Sequence, residues 1–365
     1  MINCNEWEKY SLLLIFILFA ERIDELKDNN IVCARKKTSI GGQALIEGIM
    51  MRGPHKTAMA VRHTSGEIII KEWETDRSNM PKILKLPIIR GVYNFIMSMK
   101  LGYKCLMESA EMSGLEDEEP QNKTSSENTT DNFAETDNLS NTDNNTDTNK
   151  AQKKDNNALM NVLMVVASVL GVSIALLLFI YLPSQIFSWI AKAFPVLEGR
   201  FLRSLFEVIL RIAIFVLYMY LVSLMKDIRR TFMYHGAEHK TIFCYEAGLE
   251  LTVENVRNMK RFHPRCGTSF MILMLIVGIV ISMFISVTNP FLRTLIKLCL
   301  LPITVGLGYE LIKLAGRYDN LLTRIISAPG VWLQHISVLE PDDSMIECAI
   351  EAVKRVIPQD GSDEW

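Results

Sequence analysis

Two short polar strings, about two dozen positions apart, carry the residue types that bind transition metals. The first is His235-x-x-Glu238-His239, and the second contains His263 and Cys266. On an α-helix, positions i and i+4 share one face and lie about 6 Å apart along the axis. Two imidazoles at that spacing can share one metal ion, with the carboxylate beside them. This is the order of the inverse zincins, the reversed form of the His-Glu-x-x-His string of zinc peptidases.

A catalytic zinc ion needs a third protein ligand, with a fourth position left for water or substrate. Four side chains are candidates for that ligand. The sequence does not choose among His263, Cys266, Glu246 and Glu310. Glu310 is included because an acid near the end of a membrane helix is by default a candidate functional residue.

The chemistry expected of such a site is metal-assisted hydrolysis, with Glu238 either as the catalytic general base that takes a proton from the attacking water or as a further ligand. Neutral imidazoles suit zinc, iron, nickel or copper. We expect a divalent transition metal, with zinc as the leading choice. A competing interpretation makes Cys266 a nucleophile with a histidine base, since Arg265 and a helix start at Gly267 would lower the pKa of the thiol.

The histidine string is predicted to lie on a helix over residues 229–247 that continues the preceding membrane helix or follows it after a short bend. Gly248 is a typical C-terminal stop. Gly236 lowers helix propensity, and its neighbours Glu238, His239 and Lys240 restore it.

The composition indicates a membrane protein in a reducing compartment. Of 365 residues, 49% are hydrophobic, the formal net charge is −2, and the mean hydropathy is +0.17. The balanced charge gives no reason to expect nucleic acid as a partner. The seven cysteines form no Cys-x-x-Cys pair, which argues against a disulfide framework.

Apolar runs long enough to cross a bilayer, which takes about 20 residues, predict about four transmembrane helices. Residues 158–182 contain no charged side chain, and residues 268–287 are also uncharged. Residues 205–225 and 293–314 carry charges near their ends, where long basic side chains can reach the interface.

Loop charges predict the orientation. The segment between the second and third runs carries eight basic residues, against three between the first and second. By the positive-inside rule the eight-charge segment is cytoplasmic. Four spans then place both termini in the cytoplasm, in the cell membrane, with the bilayer itself as partner and the histidine string at its inner face.

The fold predicted is a mainly α multi-pass membrane protein with a cytoplasmic α+β unit that contains a small N-terminal β-hairpin. The hairpin strands are residues 58–62 and 68–73, a helix follows at 87–112, a break falls at 328–330, and a last helix covers 344–356. Ten acids and one lysine in residues 116–147 predict disorder. The predicted divisions are an extension (1–38), the hairpin and amphipathic helix (39–114), an acidic linker (115–157), two spans (158–225), the histidine loop (226–267), two spans (268–316) and a cytoplasmic C-terminal segment (317–365).

Taken together, several strings resemble the bacterial DUF1385 family. The resemblance covers residues 39–357, apart from the acidic linker. It implies a multi-pass membrane protein and a metal-dependent enzyme, and it names no substrate. The strings are residues 41–53, 87–91, 235–240, 263–270, 308–310 and 340–343.

The leading expectation is therefore a metal-dependent, hydrolase-like membrane enzyme with His235 and His239 as ligands. A non-catalytic membrane scaffold or assembly factor, with a structural metal or none, is the alternative. A transporter ranks last, because the predicted spans hold few polar residues. The sequence identifies no protein partner and does not decide between a monomer and a homo-oligomer.

Overall fold

The computed structural model describes residues 37–75, 81–115, 166–193, 200–287, 289–317 and 320–364. The chain divides into two compact units. The first comprises residues 1–116, 216–284 and 299–365, and the second comprises 117–215 and 285–298. Residues 1–36 of the predicted extension, and the whole predicted acidic linker apart from Leu115, lie outside the described residues.

The first unit contains a four-stranded antiparallel sheet in the order β1-β2-β3-β4. The predicted hairpin is confirmed as its second half. The first half comes from residues 41–53, the glycine-rich string, for which the sequence analysis gives no strands. The strands are β1 (Gly41–Leu45), β2 (Gly48–Arg52), β3 (Lys56–Arg62) and β4 (Ile68–Glu74).

Most of the described chain is helical. Three helices pack on the sheet, and the others include the apolar helices. In chain order they are α1 (Ile89–Ser113), α2 (Val166–Lys192), α3 (Arg200–Ser223), α4 (Lys226–Glu246), α5 (Val253–Arg257), α6 (Gly267–Met283), α7 (Pro290–Cys299), α8 (Leu301–Arg317), α9 (Leu321–Ser337) and α10 (Asp343–Val356).

Both faces of the sheet are covered along β2 and β3, whose residues are mostly buried although successive side chains point to opposite faces. On β2, Ile49 and Met51 pack against α4 and α10. Met50, between them, points to the opposite face and packs against Cys105 of α1. The sheet is therefore the middle layer of an α+β unit, and α4 lies over its edge strand β1.

The tight turn between β1 and β2 is fastened to α4. Glu47 occupies the left-handed region, with φ of 50°. Its carboxylate accepts two hydrogen bonds from Arg230, each 2.5 Å long, and Tyr234 donates a third at 3.4 Å. This attachment fixes where the edge strand runs along α4.

The C-terminal tail closes on the start of the sheet. Thr38, which the predicted boundary assigned to the extension, is buried and donates to Asp363 at 2.6 Å. Tyr245 of α4 donates to the same carboxylate at 3.0 Å. The folded unit thus begins no later than Thr38.

Among the described residues, two helices are long and apolar enough to cross a membrane, Val166–Lys192 and Leu205–Ser223. Two further helices are long and apolar enough only when taken together as one bent, broken pair, Phe291–Cys299 and Leu301–Leu314. Counting that pair as one span gives three candidate spans. The run predicted as the third span forms Gly267–Met283, a shorter apolar helix. Two to three candidate spans, rather than a clear four, are compatible with membrane association.

The predicted break at residues 328–330 is wrong. Helix α9 continues through Pro329. A β-carbon on Gly330 would lie 2.4 Å from the Cα of Ser269, so α9 and α6 approach each other closely at this point. Packing against α6 explains why the helix continues despite the proline, whose missing amide removes one hydrogen bond.

Candidate metal centre

The paired histidines lie on α4, which begins after a break at Met225 and ends at Glu246, with Ala247 as the C-cap residue. The prediction of a helix that follows the preceding one after a short bend is confirmed. Gly248 adopts φ of 69° and its N–H donates to Tyr245 at 3.0 Å, so the predicted glycine stop is also confirmed. The helix is buried along most of its C-terminal half.

Gly236 allows α4 to touch the link between α9 and α10. A β-carbon at this position would lie 1.9 Å from the carbonyl oxygen of Leu339. The Leu339 N–H donates to Phe232 at 3.0 Å. Only glycine fits this contact, and the contact brings the Ser337 carbonyl 3.0 Å from His235 Nδ1.

Both imidazoles are oriented by backbone carbonyls. His235 Nδ1 donates to Ser337, and His239 Nδ1 donates to Arg261 at 2.5 Å. A metal-ligating histidine almost always donates its second ring N–H in this way, which fixes the tautomer and the ring orientation. In both residues, Nε2 is the nitrogen left for a ligand.

Cys266 meets these rings from the start of α6, where it is the N-cap residue. Its Sγ lies 3.1 Å from His235 Nε2, and Thr268 donates to it at 3.4 Å. Among the residues that the structure describes, His235, His239 and Cys266 form a group of three donors whose ligand atoms all lie within 4.8 Å of one another. The rings of the two histidines are 4.5 Å apart.

The charges in this group are coupled. Burial would raise the pKa of the Cys266 thiol, but His235 and His239 outweigh it and hold the pKa well below its ordinary value. Burial lowers the pKa of His235, but Cys266 outweighs it and raises the pKa to about 9. Each of the two groups thus favours the charged form of the other, and a metal ion bound by both would take the place of a proton on the imidazole.

Glu238 lies next to this group with one oxygen held and one without a partner. The N–H of Gly42, on the outer edge of β1, donates to Oε1 at 3.1 Å. Oε2 is buried and accepts no hydrogen bond among the described residues. Burial raises the pKa of Glu238, the two histidines lower it in part, and the net shift is upward.

His263 lies beside the group but is engaged elsewhere. Its Nδ1 accepts from the Arg265 N–H at 3.3 Å, and its Nε2 lies 4.0 Å from Glu246. Burial, together with the neighbouring His239 and Arg265, holds its pKa well below the ordinary value. It is therefore a neutral ring that lines the site.

Glu246 and Glu310, the other two candidate ligands, are both paired with arginines. Glu246 is buried and paired with Arg265, and it also accepts from the Thr38 N–H at 2.9 Å. Glu310 accepts two hydrogen bonds from Arg90 of α1, one of them 2.6 Å long. The structure brings neither carboxylate into the three-donor group.

Gln334, which was not among the predicted site residues, holds the loop that carries His263 and Cys266. Its side chain is fully buried. It accepts from the His263 N–H and donates to the His263 carbonyl, both at 2.7 Å. A lone amide in the apolar stretch of α9 was the available signal, because a buried amide must find partners.

A cavity of about 170 Å³ opens beside the donors. It is large enough for several water molecules or a small chemical group. Backbone from the start of β1 forms one wall of the cavity, and the side chains that could bind a metal form the other. The lining residues include Gly41, Gly42, Glu238, His239, His263 and Cys266.

Comparison with known proteins places the chain in a family. A family model described as "Protein of unknown function (DUF1385)" matches residues 86–359. "Uncharacterized protein YqhQ" of Bacillus subtilis (strain 168) is 30% identical over 322 residues, which cover 87% of this chain and 92% of that protein. No solved structure matches the chain. Since the family model spans well over half of the sequence, this chain belongs to the DUF1385 family.

Proposed function

We propose that the protein is a metal-dependent, hydrolase-like enzyme at the cytoplasmic face of the membrane, with His235, His239 and Cys266 as metal ligands and Glu238 as general base. The observation that carries the proposal is the convergence of three donors within 4.8 Å beside a buried carboxylate oxygen that has no partner. Neither feature alone would indicate an active site, because clusters of histidines and buried charged groups also occur in folded proteins for structural reasons.

The donor set fits zinc best. Two imidazoles and one thiolate are ligands that zinc accepts, and softer thiolate donors disfavour magnesium, calcium and manganese. The carbonyls of Ser337 and Arg261 supply the outer-shell hydrogen bonds that such ligands use. When bound, the metal supplies Lewis acidity, which acidifies water and polarises a carbonyl or phosphoryl oxygen.

Glu238 is placed to move a proton within this site. Gly42 holds Oε1, so the carboxylate cannot rotate freely, and Oε2 remains able to accept. The raised pKa of the group brings it closer to the operating pH, which favours general-base work. A purely structural metal site would not need a buried carboxylate oxygen that lacks a hydrogen-bond partner.

A change of Glu238 to glutamine is expected to leave zinc bound and to abolish hydrolysis. Glutamine keeps the shape and can still accept from the Gly42 N–H, but it takes up no proton at neutral pH. Zinc content is measured by mass spectrometry on protein purified in detergent, and turnover is measured on a panel of ester, phosphoester and peptide substrates. Zinc lost together with Glu238 would make this residue a ligand instead of the base.

The panel also separates the enzyme from the scaffold. Wild-type protein that holds zinc and turns over no member, even at high enzyme concentration, would favour a scaffold with a structural metal. Wild-type protein without any metal would remove the proposal of a metal enzyme altogether.

A thiol nucleophile is the second candidate, favoured by one observation, the 3.1 Å contact between Cys266 Sγ and His235 Nε2. The pKa of Cys266, held low chiefly by His235 and His239 against its burial, is typical of a reactive thiol. The variant Cys266→Asp separates the two candidates. An aspartate can still bind zinc but cannot form a covalent thioester, so activity retained in this variant excludes the nucleophile.

For the membrane placement we propose four spans, in which the short helix Gly267–Met283 is the third and the broken pair is the fourth. Alkaline phosphatase, which is active only outside the cytoplasm, is expected to be active when fused after Ala193. It is expected to be inactive when fused after Leu249 or at the C-terminus. A fluorescent protein that folds only in the cytoplasm should give the reverse pattern, and equal phosphatase activity at all three positions would contradict the topology.

A further inference from the structure

Helix α1 joins the apolar helices of the first unit to the sheet. Its N-terminal half packs on α8, where a β-carbon on Gly91 would lie 3.0 Å from the Cα of Gly306. Asn94 donates to the Tyr309 hydroxyl at 2.9 Å. The C-terminal half packs on the sheet instead, and Ser109 accepts from a β1–β2 turn amide at 3.2 Å.

Between these two contacts, one full turn of α1 is exposed in every direction. Residues 96–100 are all exposed, and five consecutive residues of a helix point all around its axis. Three of the five are large and apolar, and two more exposed apolar residues precede the helix. Together these exposed apolar residues, before the helix and on it, are Ile83 (67% exposed), Leu86 (51%), Ile96 (57%), Met97 (42%) and Met99 (56%).

This apolar surface is continuous with a candidate membrane span. Helix α8 belongs to the broken pair, and its own residues Leu301 and Ile303 are exposed as well. The N-terminal half of α1 lies directly against α8, so whatever solvent surrounds one surrounds the other. An apolar patch of this extent on a soluble surface would be a liability.

Charged residues lie within and at the end of the apolar surface. Lys85, between Ile83 and Leu86, is exposed, and its long side chain can extend to the headgroup layer while its stem stays among apolar neighbours. Arg90 is neutralised by Glu310, so it does not require water. Beyond Met99 the exposed residues become Lys100, Tyr103 and Lys104. Lysines and a tyrosine at this position are typical of the headgroup layer, where basic side chains attract anionic lipids.

We propose that residues 83–99 are embedded in the cytoplasmic leaflet of the bilayer, with Lys100 and Lys104 at the level of anionic headgroups. This segment is a lipid-inserted support and not a further span. Since α1 packs on the sheet whose edge supplies Gly42 to Glu238, the embedded half fixes the metal centre close to the membrane surface. The inference rests on the membrane placement given under the proposed function.

The test is lipid quenching in the full chain reconstituted into vesicles of phosphatidylcholine and phosphatidylglycerol. A fluorescent non-canonical amino acid is placed at Ile96 or Met97, which leaves the native cysteines in place. The matched controls are Ile303, exposed on α8, and Lys71, exposed on β4. Doxyl-labelled lipids are expected to quench positions 96 and 97 to within about twofold of position 303, and to leave position 71 unchanged.

The controls separate the failure of this inference from failure of the membrane placement. If position 303 is quenched while 96 and 97 behave like 71, α8 lies in the bilayer and the embedded segment is wrong. If 96 and 97 are shielded from both lipid and aqueous iodide, a protein or a second copy covers the patch, which also overturns the inference. If position 303 itself is not quenched, the membrane placement fails first.

Discussion

Replacement of His235 or His239 by alanine is expected to weaken zinc binding by more than about 100-fold, beyond the ~10–100-fold loss typical of an outer-shell partner. Among the residues that the structure describes, each imidazole is one of three converging donors, and its Nδ1 is already committed to a backbone carbonyl. Among the described residues, His263 is held by Arg265, and Glu238 Oε2 is the remaining nearby donor, a single carboxylate oxygen that would not restore the lost imidazole. Affinity is measured by competition with a chromophoric chelator.

Matched controls exist for each ligand. His55 is exposed and bonded to Asp360, so His55→Ala should bind zinc as the wild type does. Cys299 is exposed, and Cys299→Ser should likewise have no effect, whereas Cys266→Ser should reduce the affinity strongly. Unchanged affinity in both His235→Ala and His239→Ala would show that any bound zinc lies elsewhere.

The change Gly236→Ala is expected to lower the free energy of unfolding by about 2 kcal/mol or more, because the added β-carbon overpacks against a backbone oxygen. In an unconstrained helix interior, the same change would stabilise by about 1 kcal/mol. The contact with Leu339 at 1.9 Å reverses that sign. A fall of roughly 4–8 °C in the midpoint of thermal unfolding is the expected readout.

Gly278→Ala is the matched control for this change. Gly278 also lies inside a helix, but the nearest atom to its added β-carbon, on Thr304, is at 3.8 Å, an ordinary contact. It should be neutral or slightly stabilising. Equal midpoints for the two variants would mean that the α9–α10 link does not press on α4, and that Ser337 does not hold His235 where the structure places it.

The histidine pair was predictable because its geometry is local. Two residues four positions apart on a helix must share a face, so His235 and His239 needed only the helix, and the helix needed only its own pattern and its glycine stop. The third donor is different. Which of Cys266, His263, Glu246 and Glu310 reaches the pair depends on loop and helix packing across the fold, which no spacing rule encodes.

The glycine-rich string illustrates a second limit. Gly42 and Gly48 lie where the backbone and neighbouring side chains approach closely, yet the sequence does not predict their strands, because the segment lacks the alternation and the Asn-Gly or Asp-Gly turn typical of hairpins. The turn instead places Glu47 at positive φ and stabilises it through Arg230 of α4. The turn is thus stabilised by an ion pair between residues far apart in the sequence, and not by a local turn motif that the sequence would reveal.

The hydrophobic runs correctly predicted where the apolar helices lie. They overestimated the length and continuity of the individual helices. Residues 268–287 read as twenty uncharged positions, but the helix ends at Met283. The last run is broken between Cys299 and Leu301. Hydropathy reports composition along the chain, whereas helix ends depend on capping and on packing.

The most direct measurement of the central claim is X-ray absorption at the zinc edge, on full-length protein purified without chelators. The account predicts one zinc ion per chain, with one sulfur at about 2.3 Å and two imidazole nitrogens at about 2.0–2.1 Å. It also predicts that the sulfur signal disappears in Cys266→Asp. A sulfur-free shell in the wild type, or a sulfur signal that survives this change, would contradict the site formed by His235, His239 and Cys266.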